Sequence, residues 1–240
     1  DGGERPVKAL QKWFSHRGAL PLTAYLLALV CWLVLGAAHL ASDTAARAQG
    51  RLTEETMAVT DWQLAGLTLA DGTLTTLDGD PQIILENVDG RVVRTISYTA
   101  QFDDEPREVC LYYTTKIGED YSADRRVFPK SAGNGRYIYT LPRTSLAALR
   151  LDPCSPEENR TVTFTMSDIT LNAADTLPAP WQYFVPGWYQ AFCLVLYPAL
   201  AAAAVRVLWE LWSGKEDEVF GSGCPAPAVR VRWTAFIGNL

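Results

Sequence analysis

Histidine is rare in the sequence, and its absence from the central region excludes most kinds of nucleophilic catalytic site there. The 240 residues contain two histidines, His16 and His39, and neither lies in the polar central region of the chain. A Ser-His-Asp or Cys-His site needs a base beside its nucleophile, so such a site is excluded there unless another chain supplies the base. The HExxH, P-loop and GxGxxG motifs are also missing. The sequence therefore predicts no catalytic residue, and it leaves open whether the protein is an enzyme.

Positive charge is scarce as well. The formal net charge is -6, and the isoelectric point is about 5.0. Binding to nucleic acid requires a basic face that meets the phosphates. The charge balance therefore argues against a nucleic-acid partner.

The five cysteines follow neither a zinc-site nor a CxxC spacing. Cys110 and Cys154 both lie in the polar central region, and we consider a disulfide between them if that region faces an oxidising compartment. Sequence alone does not show that their Cβ atoms approach. Two buried thiols are the alternative.

Two apolar blocks are long enough to cross a membrane. The first covers residues 19–41 without a charge, and the second covers residues 185–207, where Arg206 is the only charged residue. At about 1.5 Å per residue, each block spans a hydrocarbon core of roughly 30 Å. Tryptophan and tyrosine flank the second block, as in an aromatic belt. We predict two transmembrane helices in a lipid bilayer, the first a retained signal anchor rather than a cleaved signal peptide.

Basic residues lie before the first block, at Arg5, Lys8, Lys12 and Arg17. Others lie at the end of the second block and after it, at Arg206, Lys215, Arg230 and Arg232. The positive-inside rule then predicts that both termini are cytoplasmic and that the central region is extracytoplasmic, in a multi-pass protein of the cell membrane. The predicted organisation is a cytoplasmic segment 1–18, a span 19–41, a juxtamembrane linker or short helix 42–56, a β domain 57–172, a linker 173–184, a span 185–207 and a cytoplasmic tail 208–240.

The region between the blocks has the pattern of short β-strands. Residues 92–102 alternate between apolar and polar side chains, with Arg94 as the exception. Residues 62–69 and 161–171 are each predicted as one further strand, and Asp71-Gly72 is a turn signal between strands. About eight or nine strands without a long helix predict an antiparallel, jelly-roll-like β-sandwich. The predicted fold class is therefore mainly β, flanked by two transmembrane helices.

Tyrosines of the β domain are the candidate ligand-binding residues. An aromatic ring suits the C–H face of a pyranose, and this chemistry selects Tyr112, Tyr121, Tyr137 and Tyr139. Tyrosine is also an ordinary strand residue, so core or cross-strand packing is the alternative for all four.

Aspartates at predicted strand ends are the candidate metal ligands. Calcium takes several oxygen ligands from such loops, and Asp78, Asp80 and Asp152 fit this requirement. Solvated turn residues are the alternative, and no other cofactor is predicted. A pair of glycosidase carboxylates is a further alternative, because two carboxylates at a suitable separation suffice.

Four segments carry a resemblance to a known family. The runs DPQIIL (80–85), CLYYTT (110–115), YTLPR (139–143) and LRLDP (149–153) resemble a β-sandwich module of bacterial membrane proteins of cell-envelope glycan assembly. The module is similar to the extracytoplasmic insert of membrane glycosyltransferases and lipoteichoic acid synthase-like proteins, where it lies between membrane spans. The resemblance carries no catalytic residue with it.

The sequence and the resemblance together lead to one functional prediction. We expect a membrane-anchored, non-catalytic β-sandwich that binds or positions an envelope glycan or a partner protein. One alternative is a fragment of a polytopic envelope-polymer enzyme whose catalytic domain lies outside these residues. Another is a structural subunit of a membrane complex.

Overall fold

The computed structural model describes residues 18–88, 90–158 and 160–212, which contain two long helices, three short 3-10 helices and thirteen strands. The predicted cytoplasmic segments 1–18 and 208–240 lie largely outside the described residues. The helices are α1 (Ala19–Ala48) and α2 (Trp188–Trp212). The strands are β1 (Glu55–Met57), β2 (Gln63–Ala65), β3 (Leu67–Ala70), β4 (Thr73–Thr76), β5 (Gln82–Leu85), β6 (Thr95–Phe102), β7 (Cys110–Thr114), β8 (Arg126–Val127), β9 (Lys130–Ser131), β10 (Arg136–Thr140), β11 (Ala148–Asp152), β12 (Thr163–Met166) and β13 (Ile169–Leu171).

The chain divides into a β unit, Gly36–Tyr183, and a helical unit that contains the described residues 18–35 and 184–212. Two helical segments, Ala19–Ala48 and Pro180–Trp209, are long and apolar enough to span a membrane, with mean hydropathies of 2.1 and 2.0. Within the helical unit, the Tyr25 hydroxyl donates to the carbonyl of Val195 at 2.8 Å, and Trp32 Nε1 donates to the carbonyl of Phe184 at 2.9 Å. Such bonds hold helices together where water is excluded.

The β unit contains two antiparallel sheets. One has five strands in the order β2-β5-β11-β7-β8. The other has eight strands, with the path β1-β13-β6-β12-β4-β3, and in addition β10 pairs with β6 and β9 pairs with β10. This arrangement confirms the predicted antiparallel sandwich with an apolar helix on each side of it in the sequence.

The strand count exceeds the prediction in part because two expected strands are interrupted. Gly66 adopts a φ of 64° and divides residues 62–69 into β2 and β3, which belong to different sheets. A Cβ at this glycine would also collide with the carboxylate of Asp78, so both the backbone angle and the space require glycine. Ser167 and Asp168 divide residues 161–171 into β12 and β13, which pair with successive parts of β6.

The hydrophobic core lies between the two sheets. Leu111, Leu149 and Leu151 of the five-stranded sheet and Ile96 and Phe164 of the eight-stranded sheet are at most 2% exposed and belong to one cluster. Fully burying such a side chain contributes about 1.5–3 kcal/mol relative to leaving it exposed. The core therefore fixes which face of each strand points to solvent.

The last part of α1 belongs to the β unit and carries a buried carboxylate. Asp43 is 1% exposed. Its oxygens accept hydrogen bonds from Arg94 Nε at 3.1 Å, from Arg143 Nη1 and Nη2 at 2.9 and 2.5 Å, and from the Tyr183 hydroxyl at 2.8 Å. Arg94 interrupts the apolar–polar alternation of residues 92–102. A charged side chain is tolerated at this position because its guanidinium binds the buried carboxylate of Asp43. The helix thus continues seven residues past position 41, into the segment predicted as a linker.

Candidate functional site

A row of side chains crosses the outer face of the five-stranded sheet. Leu149 and Leu151 are fully buried, so Arg150 between them faces outward, because side chains alternate along a strand. The strand register places Arg150 opposite Tyr112 on one side and Ile84 on the other. The full row is Gln63, Ile84, Arg150, Tyr112 and Arg126.

Arg150 is fixed between two tyrosine rings and two carboxylates. Its guanidinium carbon lies 5.1 Å from the ring centroid of Tyr112 and 5.8 Å from that of Tyr121. Nε donates to Asp152 Oδ1 at 2.7 Å, and Nη2 donates to Asp152 Oδ2 at 2.8 Å and to Asp80 Oδ1 at 2.9 Å. We call these five residues the tyrosine–arginine site. Charge-assisted bonds to a planar guanidinium hold its geometry tightly.

The groups of the site differ in their access to solvent. The Asp152 side chain is 12% exposed, whereas that of Asp80 is 66% exposed and also accepts a hydrogen bond from Gln82 Nε2 at 2.6 Å. Burial raises the pKa of Asp152, and hydrogen bonds from Arg150 oppose this effect. Burial also raises the pKa of Tyr112 and of Tyr121. Both hydroxyls are therefore protonated at neutral pH and are able to donate and accept hydrogen bonds.

The four candidate tyrosines do not form one surface. Tyr112 and Tyr121 meet at Arg150, but Tyr139 is 0% exposed and its hydroxyl lies 3.0 Å from that of Tyr98 inside the core. Tyr137 stacks on Tyr98 with ring centroids 5.3 Å apart. The expectation that Tyr137 and Tyr139 line a ligand surface is corrected, because both point inward from β10 and pack in or against the core.

The candidate calcium ligands are also separated. Asp80 and Asp152 face the same guanidinium, whereas Asp78 accepts the backbone N–H of Asp80 at 3.0 Å and lies beside Gly66. Within residues 18–88, 90–158 and 160–212, no three His, Cys, Asp or Glu side chains are grouped to hold a metal ion. Arg150 supplies the positive charge between Asp80 and Asp152.

The two cysteines of the β unit follow the alternative of two buried thiols. Cys110 and Cys154 are both buried and free, and a disulfide between them stays a prediction for an oxidising compartment. Each is buried as a small hydrophobic side chain, and Cys154 belongs to the core cluster. Burial raises the pKa of Cys110 to about 11 and that of Cys154 to about 12. Both thiols are therefore protonated at neutral pH and react slowly.

Sequence reasoning did not identify Arg150, the central residue of the site. A usable signal existed, because a charge between two leucines in residues 149–151 indicates an outward position on a half-buried strand. The contact with Tyr121 had no comparable signal, because this tyrosine lies outside the strands.

The chain has little similarity to known proteins. No family model and no curated protein matches it. Among solved structures, it is similar to CBM86, described as a low affinity xylan binding module, from Roseburia intestinalis, at 16% identity and a TM-score of 0.33, over 52% of this chain and 99% of the module. A similarity with such a low TM-score does not support a conclusion about the function of this chain. The resemblance to envelope glycan-assembly proteins stays a prediction.

Proposed function

We propose that this protein is a membrane-anchored, non-catalytic module that binds a carbohydrate on the outer face of its five-stranded sheet. The observation that carries the proposal is the position of Arg150, between the rings of Tyr112 and Tyr121 and bonded to Asp80 and Asp152. These groups lie at the outer face of the five-stranded sheet and belong to four segments of the chain, which are β7, β11, the loop before β5 and the segment between β7 and β8.

The chemistry of the site matches that of a sugar ring. A pyranose presents an apolar C–H face, which suits an aromatic ring, and a rim of hydroxyls that donate and accept hydrogen bonds. The carboxylate of Asp80 accepts from such hydroxyls, and the tyrosine hydroxyls do both. A few well-placed polar groups beside an aromatic surface are typical of ligand sites that need orientation as well as contact.

The proposal places the module at a cell membrane. The two apolar helices serve as anchors in the lipid bilayer, and the basic flanks of the sequence favour cytoplasmic termini with an extracytoplasmic β unit. In this location, the proposed ligand is a bacterial cell-envelope glycan. Two alternatives stay predictions: the chain is part of a polytopic envelope-polymer enzyme, or it is a structural subunit of a membrane complex. Purification of the protein with its native partners would discriminate between these two alternatives.

The test measures glycan binding by the full chain in lipid nanodiscs. Its probes are immobilised hexasaccharides of glucose, mannose, xylose, N-acetylglucosamine and mannuronate. We expect Tyr112→Ala and Tyr121→Ala each to weaken binding at least about tenfold, equivalent to roughly 1.4 kcal/mol. Thr165→Ala is the matched control, because Thr165 is exposed on the eight-stranded sheet. Binding to none of the probes, or an equal loss in the control, would contradict the proposal.

A further inference from the structure

Carboxylates outnumber guanidiniums around the tyrosine–arginine site. Two more carboxylates belong to this face. Glu86 follows β5 in the same alternate set as Ile84 and acts electrostatically on Tyr121. Glu108 precedes β7 in the same alternate set as Tyr112 and forms an ion pair with Arg126. Together with Asp80 and Asp152, they make four carboxylates against two guanidiniums.

Both guanidiniums of this face already bond carboxylates. Arg150 bonds Asp80 and Asp152 through Nε and Nη2, and Arg126 bonds Glu108. A carboxylate or sulfate on a sugar would therefore approach a surface with an excess of two negative charges, where each guanidinium is already bonded to a carboxylate. Repulsion between like charges near a protein surface lowers both affinity and association rate.

The hydrogen-bonding groups that remain suit neutral hydroxyls. Arg150 Nη1 makes no hydrogen bond to another described residue, so its N–H groups remain as donors. Asp80 is largely exposed, and its oxygens accept from ligand hydroxyls. Gln63, at the end of the row, is exposed and adds an uncharged donor and acceptor.

We infer that the site selects neutral glycans and rejects those that carry uronate or sulfate groups. This inference rests on the proposed carbohydrate-binding function and adds the chemical class of the ligand to it. Asp80 is a positioning residue for Arg150, and its negative charge is part of the selectivity.

The test compares two ligands that differ only at C6. β-1,4-mannohexaose and β-1,4-hexamannuronate are titrated into the full chain in nanodiscs of a zwitterionic lipid, beside the neutral hexasaccharides of glucose, xylose and N-acetylglucosamine. We expect the neutral ligands to bind at least about tenfold tighter than hexamannuronate at low salt. Raising the salt concentration reduces this difference, because the repulsion is screened.

Asp80→Asn provides the second arm. It removes one negative charge and keeps the shape of the side chain, so binding of hexamannuronate should improve several-fold relative to mannohexaose. Asp168→Asn is the matched control, because Asp168 is exposed next to the eight-stranded sheet, and it should leave the ratio unchanged. Tighter binding of hexamannuronate than of every neutral ligand overturns this inference alone. Binding of no ligand overturns the proposed function and this inference together.

Discussion

Asp43 is a position where one substitution should strongly destabilise the β unit, because its buried carboxylate accepts hydrogen bonds from two arginines and a tyrosine. The carboxylate side chain is 2% exposed, and those of Arg94 and Arg143 are 13% and 27% exposed. Asp43→Ala leaves both guanidiniums without their partner in a water-poor setting. Breaking a buried ion pair by removing one member costs about 3–5 kcal/mol.

The expected change in melting temperature is large. For a unit the size of residues 36–183, a loss of 1 kcal/mol lowers the melting temperature by about 3–4 °C, so Asp43→Ala should lower it by about 10–20 °C. The assay is thermal unfolding of the full chain in nanodiscs, followed by circular dichroism. Ser42→Ala, at an exposed neighbouring position on α1, is the control and should change stability by less than about 0.5 kcal/mol.

A double-mutant cycle separates the ion pair from other effects of truncation. Arg143→Leu in the Asp43→Ala background removes a guanidinium that has already lost its partner. The double variant should therefore be more stable than the sum of the single effects predicts, by at least about 1 kcal/mol. Additive effects, or a melting temperature within about 2 °C of the unmodified protein for Asp43→Ala, would refute this reasoning.

Three further predictions concern the β unit. Asn172 has a φ of 54°, and its side chain bonds two backbone N–H groups and two backbone carbonyls. In thermal melts, Asn172→Ala should therefore lower the free energy of unfolding by about 2–4 kcal/mol. Asn172→Gly should lower it by about 1 kcal/mol less, because glycine adopts a positive φ without strain. After alkylation at pH 7, peptide mapping should find Cys110 and Cys154 unmodified in the folded protein. Both cysteines should be modified when the protein is alkylated in denaturant without reductant. Protection of the two cysteines in denaturant would indicate a disulfide between them. The hydrogen bonds of Glu119, first that from Arg125, lower its pKa to about 2 from 4.5, so its contribution to stability is complete above pH 4.5 and is lost as pH falls towards 2. The stability difference between Glu119→Gln and the unmodified protein should shrink over that range in denaturant titrations, and a constant difference would contradict the assigned bonds.

Hydrophobic alternation predicted the sandwich well because it reports directly on which face of a strand is buried. Of the strand predicted over residues 92–102, residues 95–102 form β6. The interruption at Gly66 could not be predicted with the same certainty, because a glycine within a strand pattern indicates either a bulge or a change of direction. Its close approach to Asp78 is a tertiary contact.

The candidate site was predictable only in part. Tyrosine suits both faces of a sheet, so residue type did not separate the half-buried, outward-facing Tyr112 from the fully buried Tyr139. Pairing of charges was beyond the sequence, because Asp43 is 51 residues from Arg94 and 100 residues from Arg143. Only the break in alternation at Arg94 indicated that a buried partner was needed.

Hydroxyl-radical footprinting of the full chain in nanodiscs tests most directly whether the outer face of the five-stranded sheet is the carbohydrate site. The protein is exposed with and without a mixture of the neutral hexasaccharides of glucose, mannose, xylose and N-acetylglucosamine. We predict that the mixture lowers oxidation of Tyr112 and Tyr121 and leaves Tyr113 unchanged, because Tyr113 packs against the core from the other face of the same strand. Unchanged oxidation of Tyr112 and Tyr121 at a saturating concentration of the mixture would contradict the account.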